Sequence, residues 1–219
     1  MANSLATPQL TTVLSRLFAA AARDRDDAPP LPPGQTSWAA ASALDRANAF
    51  EDVYIPISAE AGTLLYALAR AIRPETVIEF GTSFGISTIY LAAAVADNGT
   101  GRVVTTELND KKAKAAQANL QQAGVDAAVT ILAGDARQTL ADLPGPVGLV
   151  LLDGWKDLCL PVLRLLEPKL APGALVAADD NDHAGMADYL QYVRDPANGY
   201  VSVSFPVDDG VEISSWTGR

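Results

Sequence analysis

Carboxylates stand where apolar runs of this chain stop: Glu79, Glu107, Asp135 just past its run, Asp153 and the pair Asp179-Asp180. If those runs are strands of one parallel sheet, these side chains gather at its carboxyl edge, where open α/β sheets bind their ligands. Asp153 and Asp179-Asp180 then end neighbouring strands about 4.8 Å apart. Acids that close repel one another if left bare. Oxygen ligands without Cys or His suit a hard cation, Mg²⁺ first, with Ca²⁺ or Mn²⁺ as alternatives. The competing use is capping of the following helices by one or two of these acids. Lys156 follows Asp153 by three residues, and a dication beside it would lower its pKa by like-charge repulsion and fit it to act as a general base. Otherwise it is a surface lysine on a loop. Trp155 offers a face to an adenine or a plug to the core. The single histidine, His183, reads as a solvated loop residue, and Cys159 as a packing residue without a histidine partner.

The turn Glu79-Phe-Gly81-Thr-Ser83-Phe-Gly85 carries two glycines in the spacing G-x-x-x-G, which allows a tight turn and close approach of a ligand to the backbone. It lacks the G-x-G-x-x-G pattern that seats a pyrophosphate on a helix N-terminus. Glu79 ahead of the glycines would repel phosphate and attract an ammonium group. Glu107 can accept both hydrogen bonds of a ribose diol. Gly134-Asp135-Ala136 could border an adenine. An amino acid and a ribose without phosphate describe S-adenosylmethionine (SAM). A generic α/β turn is the alternative for G-x-x-x-G taken alone.

The elements that must position these residues follow from periodicity. Leu10, Val13, Leu14, Leu17, Phe18 and Ala21 predict an amphipathic helix over 8–24, with Pro8 in its first turn after Thr7. The stretch 24–37 follows, with Pro29, Pro30, Pro32 and Pro33, an extended linker that sets the first helix apart as an arm over 1–36. Its apolar stripe needs cover from its own domain or from a partner subunit. Over 37–219 strands and helices alternate: helix 60–72, strand 76–80, helix 86–96, strand 101–107, helix 109–124, strand 128–133, helix 136–143, strand 147–153, helix 161–170 and strand 173–180. After a further helix, 199–216 alternates around Asp208-Asp209-Gly210 as an antiparallel hairpin. The expected fold is α/β, a Rossmann-like, mostly parallel seven-stranded sheet with a C-terminal antiparallel hairpin and helices on both faces.

Composition bounds the function. The 219 residues are 49% hydrophobic and 19% charged, enough for a sizeable core, and 26 acidic against 16 basic side chains leave a net charge of −10. That balance argues against a nucleic-acid surface and against an anionic membrane, and the chain lacks the Asn/Asp-Pro-Pro-aromatic motif of nucleic-acid methyltransferases. One cysteine excludes an intrachain disulfide. The N-terminus lacks the features of a signal peptide, and no apolar run reaches the roughly 18 residues of a membrane span, so a cytoplasmic domain is expected.

At these residues the sequence resembles the class I SAM-dependent, cation-dependent O-methyltransferases, the group of catechol and caffeoyl-CoA O-methyltransferases and their small bacterial relatives. The likeness runs from about residue 54 to the C-terminus. VIEFGTSFGISTIYLA resembles the SAM-binding motif, VVTTELN the ribose-binding strand and LLDGWKDLCLPV the metal-and-base segment. The resemblance implies that Glu79, Gly81, Ser83, Gly85 and Ser87 line the methionine end of SAM. Glu107 and Leu108 would hold the ribose, and Gly134, Asp135, Ala136 and Trp155 would border the adenine, with Asp153 also beside the cofactor. It implies Asp153, Asp179 and Asp180 as Mg²⁺ ligands and Lys156 as the base. Asp209-Gly210-Val211-Glu212 resembles the family's Asp-Gly-x-Glu, whose Glu contacts the acceptor hydroxyl. Tyr54, Ile55 and Ile57 fall on the loop that contacts SAM and acceptor. The family's Asp-Asn pair is Asp179-Asp180 here, and a slip of one residue would restore it as Asp180-Asn181. The implied reaction is methyl transfer from SAM to a hydroxyl of a small catechol-like or phenolic acceptor, with a homodimer built through the N-terminal extension. The alternatives are a metal-independent methyltransferase on the same fold, and a non-catalytic α/β nucleotide-binding module or dehydrogenase-like domain.

Overall fold

The computed structural model describes residues 3–24 and 29–218; positions 25–28 of the expected linker lie outside them. Seven strands, β1 (Thr76–Phe80), β2 (Arg102–Glu107), β3 (Val129–Ala133), β4 (Val147–Leu152), β5 (Leu170–Ala178), β6 (Tyr200–Phe205) and β7 (Val211–Trp216), form one sheet in the order β3-β2-β1-β4-β5-β7-β6. The first five are mutually parallel, and β7 runs antiparallel to β5 and β6. This is the Rossmann-like architecture expected from the alternation of elements. The order reverses between β1 and β4, a switch point at which a crevice opens beyond the carboxyl ends.

Register makes the strand ends level. Phe80 pairs with Thr106 on one side and with Leu152 on the other, and Leu152 pairs with Ala178. Gly81, Glu107, Asp153 and Asp179, each one residue further on, therefore stand in a row along the carboxyl edge, Glu107 as the last residue of β2.

Both faces of the sheet are covered, so the central strands β1 and β4 are buried along nearly their whole length rather than on alternate residues. Val77, Leu149 and Ala177 pack with helices α1 (Pro8–Asp24), α3 (Ala59–Ile72), α4 (Ile86–Asn98) and α5 (Asp110–Ala123). The residues next to them, Ile78, Val150 and Ala178, pack on the other side with the short α6 (Ala136–Thr139), with α7 (Cys159–Leu166) and with α8 (Ala187–Arg194). Among the described residues no helix is long and apolar enough to cross a membrane.

Some boundaries move for local reasons. The helix after Asp135 stops at Thr139, short of the expected 143. The helix expected from Pro161 starts at Cys159, because a proline is tolerated in a first turn whose N–H groups have no helical acceptor. It ends at Leu166 in a 3₁₀ turn containing Pro168, and β5 starts at Leu170 instead of 173. A helix absent from the sequence reading, α2 (Ala43–Ala49), lies between the linker and α3; Ser42 caps it by accepting the Asp45 N–H at 3.1 Å.

The stripe of α1 is covered by its own domain. Leu10 and Leu17 are fully buried beside Leu120 and Ala123 of α5. Arg16 donates to Asn119 and Gln122 of the same helix, and Ser4 is tied to Asp97. The apolar face that could have met a second subunit is spent within the chain.

Candidate active site

A cavity of about 680 Å³ opens at the carboxyl ends of β1 to β5, at the switch point, and the segment 38–57 roofs it. Its floor begins with the turn after β1. Gly81 has φ 104°, and a Cβ there would meet the carbonyl oxygen of Asp153 at 2.6 Å, so only glycine lets the β1 and β4 turns close on each other. Gly85, at φ 87°, caps α4. Ser83 takes the left-handed conformation at φ 47°, which costs a non-glycine residue backbone strain, and its N–H donates to Glu107 Oε2 at 2.7 Å. Asn109 N–H donates to Glu107 Oε1 at 2.9 Å. Both carboxylate oxygens are thus oriented by backbone donors, and each keeps a lone pair for a ligand.

Glu79 is fully buried behind this turn and does not line the cavity. Thr88 donates to its Oε2, while Oε1 has no hydrogen-bond partner. Burial lifts its pKa to about 7 against the opposing hydroxyls of Ser87, Thr105 and Thr88. Glu79, expected to line the methionine end of the donor site, stands behind the turn instead. The raised pKa also makes a testable statement about stability. Between about 4.5 and 7 the folded state holds a proton that the unfolded chain has released, so raising pH through this window destabilises the fold, by about 3 kcal/mol in full. Comparing unfolding free energies of the wild type and Glu79→Gln at pH 4.5 and 7.5 should show the wild type losing more than the mutant by this amount, since Asp153 and Asp179 contribute equally to both; parallel profiles would remove Glu79 as its source.

The opposite end holds the acids. Asp153, Asp179 and Asp180 bring one carboxylate oxygen each within 4.8 Å of one another. Lys156 Nζ lies 3.1 Å from Asp153 Oδ1 and 2.9 Å from Asp180 Oδ2. Asp179 Oδ1 is buried without a partner. Burial raises the pKa of both Asp153 and Asp179; Asp180 raises both further and Asp153 raises Asp179, while Lys156 pulls both down and a hydrogen bond with Asp179 lowers Asp153. Burial would lower Lys156, but Asp153, Asp180 and Asp179 outweigh it and keep the ammonium protonated well above its ordinary range. Ionised together, the three carboxylates would outweigh the one ammonium by two negative charges, and the raised pKa of Asp153 and Asp179 reflects the resistance of the bare cluster to that state. This donor set of hard oxygens, one of them orphaned, fits a divalent cation.

The choice between Asp179-Asp180 and a slipped Asp180-Asn181 pair is visible in the backbone. Asp180 adopts φ 55°, and Asn181 swings away to the hairpin, where its amide donates to Ser204 Oγ and Glu212 Oε2.

Tyr54, Ile55, Ile57, Ser83, Ser87, Leu108, Gly134, Asp135, Ala136, Trp155 and Lys156 line the cavity. Tyr54 stacks on Phe84 with centroids 3.9 Å apart. Asp135 is shared with Arg137, which it holds in a salt bridge, and with the cap of α6. Glu212, expected at the acceptor, does not line the cavity. It pairs with Ala178 across the antiparallel β5–β7 ladder, and directly opposed residues share a face. That face is the α8 side, where Arg194 grips both its oxygens at 2.8 and 2.7 Å. Cys159 is buried, its thiol pushed up to about 12 by burial, in keeping with a packing role.

The roof contributes residues that the sequence reading missed. Arg46 of α2 pairs through two bonds with Asp157, at 2.8 and 2.9 Å, and lies 4.8 Å above the ring of Trp155. Trp38 packs edge-on to Phe50, and Phe50 to Trp155. The Ser42-x-x-Asp45 capping signature was the available signal for α2. His183 also borders the cavity, its Nδ1 accepting from Gly185 N–H at 3.0 Å.

Comparison with known proteins agrees with this arrangement. Residues 78–181 match a family described as a methyltransferase domain. A catechol O-methyltransferase of Mycobacterium tuberculosis is 38% identical over 143 residues, 65% of this chain and 64% of that protein. Catechol O-methyltransferase B of Danio rerio is 30% identical over 191 residues, 81% of this chain and 71% of the relative. Among solved structures, cofactor-bound Rv0187 from MTB superposes with a TM-score of 0.70 at 29% identity, covering 88% of this chain and all of that one. The O-methyltransferase TomG of Streptomyces achromogenes, solved with SAM, gives a TM-score of 0.68 at 27% identity over 81% of this chain and 91% of that one. The chain belongs to the SAM-dependent O-methyltransferases of the catechol O-methyltransferase family.

Proposed function

We propose that this chain transfers the methyl group of SAM to one hydroxyl of a small catechol-like or other phenolic acceptor held on a divalent cation. The observation that carries this reading is the cluster of Asp153, Asp179 and Asp180, of which Asp153 and Asp180 reach Lys156 at the cavity that also holds Glu107. Glu107 and Asp180 follow strands three places apart, about 14 Å, room for a nucleoside at one end and an aromatic ring at the other.

SAM, when bound, supplies an electrophilic sulfonium methyl, so the protein's task is mainly orientation, which can contribute ~7–11 kcal/mol. A divalent cation, Mg²⁺ by its ligand set, would lower the pKa of a coordinated hydroxyl. The residues do the rest. Glu107 holds the ribose diol, and Gly134, Asp135, Ala136 and the free face of Trp155 border the base. Lys156 takes the acceptor's proton, and Tyr54, Ile55 and the Trp38–Phe50 pair wall the acceptor and exclude water. A homodimer, if formed, would use a face other than the α1 stripe.

The test is a product screen by mass with SAM, Mg²⁺ and a panel of catechols and caffeoyl-type phenols, each with and without EDTA. Methylated product only without EDTA supports the reading. Full turnover in EDTA would point to a metal-independent methyltransferase, and no heat on titration with SAM would point to a non-catalytic module.

A further inference from the structure

Lys112 lies in the first turn of α5, where the positive end of the helix dipole disfavours a cation. Its side chain nevertheless turns inward: the residue is 5% exposed and borders the cavity. A buried lysine is ordinarily paired. This one donates a single long hydrogen bond, to Ser83 Oγ at 3.3 Å, and its Nζ sits 5.3 Å from the centroid of the Phe84 ring. Among the described residues it forms no ion pair within 4.0 Å, although Glu107 lies close enough to act on it electrostatically. An ammonium with spare donors therefore faces the cavity near a carboxylate with spare lone pairs, and the two do not touch.

A group that accepts from one and donates to the other satisfies both, and a hydroxyl does so. We infer that Lys112 is a donor-binding residue, its ammonium donating to a ribose hydroxyl of the nucleoside whose diol Glu107 accepts from. The inference rests on the reading of the cavity as a SAM site and adds a contact to it. It also accounts for a lysine held against the helix dipole and out of water: the cost is recovered only when the ligand is present.

Binding alone tests it. S-adenosylhomocysteine and its 2′-deoxy and 3′-deoxy analogues are titrated calorimetrically into the wild type, K112M and K112R. The expected result is that K112M weakens S-adenosylhomocysteine roughly tenfold or more, the scale of a hydrogen bond to a charged group. For one deoxy analogue the loss of affinity relative to the parent compound should be smaller in K112M than in the wild type, because only the contact to Glu107 is then left to lose. K112R, which keeps the charge, should recover part of the loss. Equal weakening of all three ligands by K112M would mean that Lys112 only braces the Ser83–Glu107 turn, and would overturn the proposal, as would no weakening. Failure of the wild type to bind S-adenosylhomocysteine would instead overturn the underlying reading. If K112M melts below the assay temperature, K112Q carries the same comparison.

Discussion

Lys156→Met is expected to lower turnover by roughly 10²–10⁴, the usual worth of a positioned base, while the heat of donor binding persists. The side chain is enclosed among Asp153, Asp179 and Asp180, and in their bare form these acids keep it protonated. An ammonium cannot take a proton. With the carboxylates engaged by a divalent cation, most of their pull on Lys156 would be offset and a like charge would stand beside it, so the amine could lose its proton and serve as acceptor. Two further results separate this role from packing. Lys156→Arg should not rescue, because a guanidinium stays protonated. The wild-type rate at saturating substrates should rise with pH through the ionisation of the amine, and the K156M rate should not. Turnover by K156M within a few-fold of wild type across pH would remove Lys156 from the chemistry.

Asp179→Asn is expected to act in opposite directions on activity and stability. Asp179 is buried, its Oδ1 lacks a partner, and burial with the nearby Asp153 raises its pKa, so the bare carboxylate is a liability to the fold. Replacing it by a neutral isostere should raise the melting temperature in EDTA. If Asp179 is a ligand of the proposed cation, the same change removes an anionic ligand from a group worth several kcal/mol in catalysis, so product formation at fixed Mg²⁺ should fall by about 10² or more, and the Mg²⁺ concentration for half-maximal rate should rise. Rate against Mg²⁺ and melting curves with and without EDTA check both halves. A mutant that is less stable in EDTA, or that keeps wild-type turnover, would show that Asp179 serves as a structural cap and not as a ligand.

Much of the site was legible because a parallel sheet writes its function at fixed places. Each apolar run ends in an acid or a glycine, and level register then lines those ends up. Asp153 and Asp179-Asp180 could be placed together from strand ends alone. Glu212 shows where a local motif misleads. Its Asp-Gly-x-Glu setting resembles that of an acceptor contact, but which face of β7 the side chain takes depends on its pairing with Ala178, and its partner Arg194 comes from another helix. Lys112 looked like any lysine of a Lys-rich helix, because periodicity cannot distinguish a solvated cation from one folded into a cavity. Arg46 and the aromatic roof were missed for a related reason. The seven-residue α2 carries little periodic signal, and Arg46 finds its partners Trp155 and Asp157 more than a hundred residues away.

The amino-acid order by itself determined the α/β alternation, the amphipathic first helix, the glycine turn and the acidic strand ends. Each depends on a residue's own preference for water or on bonds to near neighbours. Only the tertiary structure decided which surface covers α1, which of the consecutive aspartates turns toward Lys156, where Glu212 points and how α2 closes the cavity. Those outcomes depend on strand order and on contacts between segments far apart in the chain, whose energies belong to pairs of surfaces and to no single stretch of sequence.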